Sequence, residues 1–169
     1  MTMEYLGVDK ERGRRVYLVS ALGLEQLPPQ IQLPCARFVL LLIEGGTARG
    51  QSMSATMGRL LDIGCVYLCA WGPGCEYVHD TMDDEILERD LKERKEGVIM
   101  TTWHTHDTLA EVLDFALPWA LPDDYYAEGC DAIVVANIAD ATDPKELHRL
   151  LCERVAPQGI SHRSEVCGI

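Results

Sequence analysis

Positive charge is what the chain most lacks. Its 169 residues hold 15 Lys and Arg against 27 Asp and Glu, a formal net charge of −12. Such a surface repels a phosphate backbone or an anionic membrane at long range, so neither nucleic acid nor membrane is expected as a partner. A protein with a basic surface, or a small molecule, is what the charge leaves open, and the oligomeric state stays open with it. No apolar run approaches the roughly 20 residues that span a bilayer. The N-terminus, MTMEYLGVDKERGRR, carries charge where a secretory leader would be apolar. Seven cysteines occur without one CxxC pair, which removes the usual sign of a zinc ribbon or a dithiol redox centre. Thiols used in this way point to a reducing compartment, and a cytoplasmic location is expected. Neither GxGxxG nor GxxxxGK[ST] is present, so the turn EGGTARGQS reads as a turn rather than a nucleotide site. No cofactor is expected on these grounds. With no internal repeat and no linker, residues 1–169 read as a single domain.

What is present is an alternation of apolar runs and amphipathic segments. Phe38 to Ile43 (FVLLLI), Cys65 to Ala70 (CVYLCA), Gly97 to Thr102 (GVIMTT) and Ala132 to Ile138 (AIVVANI) read as strands covered on both faces. Between them, Met53, Met57, Leu60 and Leu61 recur at helical spacing, as do Ile86, Leu87 and Leu91. Thr108 and Glu111 form a capping-box pattern, and Asp143 before Pro144 opens a last helix over Leu147, Leu150, Leu151 and Val155. Segment 1–34 is expected to be irregular, with Arg15 to Ser20 as an edge strand and three prolines breaking Ala21 to Pro34. Trp119 to Gly129 reads as a loop, and the tail 157–169 as loose. The pattern predicts an α/β fold, a three-layer sandwich with a mostly parallel sheet in a Rossmann-like or flavodoxin-like order.

Two stretches where strands stop, WGPGCEYVHD and TTWHTHD, gather the residues that could carry chemistry. Gly72-Pro73-Gly74 forces a turn that sets Cys75 at the start of a following segment. If that segment is helical, His79 lies one turn on, and Cys75, His79, Asp80 and His104 could form a thiol nucleophile with its base and an orienting acid. In the same place His79, His104, His106 and Asp80 could hold a zinc-type divalent metal, the alternative to no cofactor. The HxH spacing resembles the start of the metallo-β-lactamase HxHxDH pattern, but Thr108 and Leu109 stand where that pattern continues. Trp71 and Trp103 each end a strand and could floor a ligand pocket together. His148 reads as structural.

The stretches WGPGCEYVHD and MTTWH, with TLAEVLDFAL after them, resemble a family of small bacterial proteins with a domain of unknown function. The resemblance runs roughly from Phe38 to Asn137. It implies a bacterial cytosolic origin and draws weight to Trp71, Cys75, Glu76, His79, Asp80, Trp103 and His104. It supplies no activity, and His106 departs from the acidic residue expected after WH. A non-catalytic ligand- or protein-binding module using the C-terminal edge of the sheet is therefore the leading expectation. A small hydrolase or transferase using Cys75 with a histidine, or the His/Asp metal set, is its rival.

Overall fold

A computed structural model describes residues 3–47, 50–93 and 96–157. The tail expected to be loose lies outside them, apart from Pro157 itself. In chain order the elements are β1 (Glu4–Asp9), β2 (Arg15–Ala21), α1 (Leu27–Gln30), β3 (Arg37–Ile43), α2 (Gln51–Asp62), β4 (Cys65–Trp71) and α3 (Cys75–Glu93). There follow β5 (Met100–His104), α4 (Leu109–Trp119), α5 (Asp124–Ala127), β6 (Cys130–Ile138), α6 (Pro144–Arg154) and β7 (Val155–Ala156).

The strands form one sheet in the order β5-β4-β3-β6-β2-β1-β7. β2, β6, β3, β4 and β5 pair in parallel, whereas β1 pairs antiparallel with both β2 and β7. The architecture is thus α/β with a mixed seven-stranded sheet, where four buried strands and one edge strand were expected. Each parallel step has a helix in its crossover, as a parallel pair requires. The buried side chains fall into two clusters because successive strand residues face opposite ways. One cluster joins Leu40, Leu42, Leu68 and Ala70 to Met53, Met57, Val78 and Met82 of α2 and α3. The other joins Val39, Leu41, Cys69 and Val135 to Val112, Leu113 and Leu151 of α4 and α6.

The N-terminal segment is more regular than its sequence suggests. β2 is an interior strand, not an edge, because β1 folds back and covers its outer side. β1 hides in the sequence because Gly7, at φ +136°, breaks its register between Tyr5 and Gly7. The prolines of the next segment do not exclude structure either. Pro28 lies in the first turn of α1, where a missing N–H costs nothing. The loop expected after Trp119 holds α5, opened by Asp123, whose carboxylate accepts from Tyr125 N. The capping box of α4 is formed as read: Thr108 Oγ1 accepts from Glu111 N and Glu111 Oε2 accepts from Thr108 N.

Two departures set the site. β5 runs from Met100 to His104, later than read, so Trp103 and His104 are strand residues on opposite faces of the sheet. α3 is one continuous helix, but its buried side is Cys75, Val78, His79 and Met82. Leu87 and Leu91, whose helical spacing reads as a core face, are 58% and 77% exposed.

Candidate functional site

The chain turns back at β3 in the sheet order, so the switch point of the fold lies between the C-terminal ends of β3 and β6. The protein's own groups occupy it. Glu44 is buried, and its carboxylate accepts from Gly46 N at 2.7 Å, Thr47 N at 2.8 Å and Thr47 Oγ1 at 3.0 Å. A Cβ on Gly74 would meet Glu44 Oε2 at 2.8 Å, which places this carboxylate against the start of α3, where helices bind anions. Across the switch point Asn137 and Thr142 close on each other, side-chain amide to backbone. The glycine-rich turn therefore carries an internal acid. Sequence reading passed over Glu44, although an acid ending a buried strand before Gly-Gly is a signal.

The unfilled space lies one strand further out. A cavity of about 260 Å³ opens at the ends of β4 and β5, lined by Trp71, Gly72, Pro73, His104, Thr105 and Asp107. Gly72, at φ +115°, makes the turn: a Cβ there would lie 2.2 Å from the Glu44 carbonyl oxygen. Trp71 Nε1 donates to the Asp107 carbonyl at 2.8 Å. The Asp107 carboxylate holds His104 Nδ1 at 2.5 Å, and the His104 ring packs on Phe115 of α4 with centroids 4.7 Å apart. His104 Nε2 is buried and makes no hydrogen bond among the described residues. A buried polar atom left in this way is uncommon and costs stability, roughly 1–3 kcal/mol.

The other face of β5 is arranged differently. His79, on α3, packs against the Trp103 ring with centroids 4.3 Å apart. Its Nδ1 meets Asp80 at 2.9 Å and its Nε2 meets Asp83 at 3.5 Å. Asp83 also accepts from Thr101 Oγ1 at 2.5 Å. Both ring nitrogens are thus engaged, and alternation along β5 keeps this group on the opposite face from His104.

The residues read as one site are therefore divided. Trp71 and His104 line the cavity, while Trp103, His79 and Asp80 lie on the α3 face. Trp71 and Trp103 do not share a pocket floor, since Trp103 pairs in register with Ala70 rather than with Trp71. Cys75 is buried at the first position of α3, with Thr105 Oγ1 3.9 Å from its sulfur. Glu76 and His106 are exposed. Among the described residues no group of three or more His, Cys, Asp and Glu is disposed to hold a metal ion. Thr105, Pro73, read only as a turn residue, and Phe115 were not singled out for the site in the sequence. Only their place after the two strands marks the first two.

A larger cavity, about 450 Å³, lies at the opposite edge of the sheet between the β1–β2 turn and the end of α4. Among its lining charges Arg154 pairs with Asp114 at 2.7 Å and Lys10 donates to the Glu153 carbonyl at 2.7 Å. Arg14, beside it, donates to the carbonyls of Ala116, Leu117 and Ala120 at the end of α4, and burial pushes its pKa down. Burial pushes the Cys65 and Cys69 thiols up to about 12 and Cys130 to about 11. His148, read as structural, lies 3.5 Å from both Glu4 and the Cys152 sulfur. No described helix is long and apolar enough to cross a membrane.

No curated protein matches the chain. The family described as Domain of unknown function (DUF7684) matches it over residues 16–154, from β2 to the end of α6 and through both stretches that form the site. The chain belongs to this family.

Proposed function

We propose that the protein is a non-catalytic binding module of the bacterial cytosol whose site is the cavity at the ends of β4 and β5. The observation that carries this reading is the buried, unpartnered Nε2 of His104, a residue that lines the cavity. With Asp107 accepting from Nδ1–H, Nε2 of the neutral imidazole is an acceptor, and the group that completes it in that form donates. The cavity lies below the ~300–1,000 Å³ of drug-sized pockets, so the ligand is small. Asp107 in the wall and the net charge of −12 disfavour an anion. A small, flat, neutral or cationic molecule with an N–H or O–H donor, lying against Trp71 and Pro73, fits these conditions. The free state of the six described cysteines agrees with a reducing compartment.

The test is a titration of ¹⁵N-labelled protein with pyrazole, nicotinamide and aminopyridine. At least one should shift the Trp71 indole and Thr105 amide signals, and His104→Phe should abolish the shift. Shifts spread over the surface, or unchanged in the variant, would contradict the reading. In its thiol form the rival hydrolase or transferase needs Cys75 to reach His79 or His104, but both nitrogens of His79 face carboxylates and His104 lies on the opposite face of β5. Its metal form needs His79, His104, His106 and Asp80 together, and the same division of faces separates them.

A further inference from the structure

The two edges of the sheet are finished differently. At one end β7 is two residues long and Pro157 follows it, while β1 behind it carries the register break at Gly7. Short strands, prolines and bulges are the devices that keep an edge from pairing with another chain. The β5 edge carries none of them. Met100–His104 pairs with β4 without a register shift, and no described strand covers its other side. The run from Gly97 to His104 (GVIMTTWH) holds no Pro, Asp, Glu, Lys or Arg. Exposed apolar side chains gather along it. Val98, Met100 and Trp103 are exposed, and exposed Tyr125 packs at its start, where a Cβ on Gly97 would lie 2.5 Å from Tyr125 Cδ1.

The strand is also complementary to itself. Set antiparallel about Thr102, a second β5 places Thr102 against its own copy, Thr101 against Trp103, and Met100 against His104. Thr–Thr and β-branched–aromatic pairs are among the favourable cross-strand contacts, and no carboxylate meets another within the strand pair. Thr101 and Trp103 lie on the α3 side, and Met100, Thr102 and His104 on the α4 side. The acid that touches the strand, Asp83, is engaged by Thr101 Oγ1 and His79 Nε2. A basic partner segment would find no carboxylate on the strand to answer its charge.

We propose that the β5 edge is the surface on which a second copy of this chain docks, the two β5 strands pairing antiparallel about a two-fold axis at Thr102. One sheet then runs through both copies, and the unpaired backbone groups of each edge find partners. The arrangement closes as a dimer, because each copy has used its free β5 edge and the opposite edge is blunted. The net charge of −12 on each copy opposes approach at long range, so salt strengthens the pairing. The inference goes beyond the small-molecule reading and does not rest on it.

The test is sedimentation velocity of the full chain over a concentration series at low and high salt, with amide hydrogen exchange on the same samples. A monomer–dimer equilibrium should appear and move toward dimer as salt rises, and exchange along Met100–His104 should slow as concentration rises. Met100→Lys and Trp103→Lys, at exposed positions, set lysines into the paired edge and should each weaken the dimer roughly tenfold or more. Leu91→Lys, exposed on α3, should leave it unchanged. Trp103→Lys also loses a ring against His79, so Met100→Lys decides between the two, and exchange of the wild type needs no variant. A monomer at every concentration would overturn the proposal and leave the edge to another protein's strand. So would a dimer that both edge variants leave intact, or one whose formation leaves exchange along β5 unchanged.

Discussion

The two faces of β5 carry one histidine each, and the two histidines differ in what surrounds them. His79 has both nitrogens against carboxylates and a tryptophan across its ring, on a face that is acidic and open. His104, which lines a cavity, has one nitrogen held by Asp107 and the other buried without a partner among the described residues. A buried histidine with both nitrogens against carboxylates is structural. An unsatisfied one beside a cavity keeps a stability cost that a ligand would remove. The lesson is that a strand ending in consecutive polar residues serves two faces, and the function of each face is read from what its polar atoms lack.

The comparison breaks most completely at the turn both faces share. Gly72→Ala combines a left-handed backbone with a clash on the Glu44 carbonyl, so it should cost roughly 3 kcal/mol or more in urea unfolding and remove both surfaces. The paired substitutions His79→Phe and His104→Phe separate the faces. The first loses two carboxylate contacts and should cost about 1–2 kcal/mol. The second removes an unpartnered atom, leaves Asp107 to water and keeps a ring against Phe115. Its stability should match the wild type or exceed it by up to about 1 kcal/mol. Equal losses in the two variants would erase the distinction.

The buried thiols sharpen the comparison by locating it at the strand tips. Cys65 packs in the α3-side cluster and Cys69 in the α4-side cluster, and burial pushes both to about 12. Both stay protonated near neutral pH, so alkylation there should mark exposed Cys152 and spare these two. The folded thiols resist ionisation that unfolded ones undergo near 9.0, so their contribution is complete below that pH and is lost as pH rises toward 12. Smallest of all, Asp83→Asn should cost about 0.5 kcal/mol, since the carboxylate is half exposed.

Much of this was legible in the sequence. The central strands, the capping box at Thr108 and the end of β4 at Gly72 follow from apolar runs and turn residues. The division of the site did not, because it depends on where β5 stops. Moving that end from Thr102 to His104 puts Trp103 and His104 on opposite faces, and no periodicity in GVIMTTWH marks the boundary. Leu87 and Leu91 misled for a related reason. Helical spacing shows that they share a side, but only the packed sheet shows which side is covered. β1 escaped notice because its pattern is broken by Gly7 and its stability comes from pairing with β2.

The most direct test of the account is a long-range ¹H–¹⁵N spectrum of the protein labelled at its histidine rings, recorded with and without the small donor that the titration selects. His79→Phe and His104→Phe supply the assignments. The account predicts that the Nε2 signal of His104 moves on addition while both signals of His79 stay in place. Movement at His79 with none at His104 would contradict it.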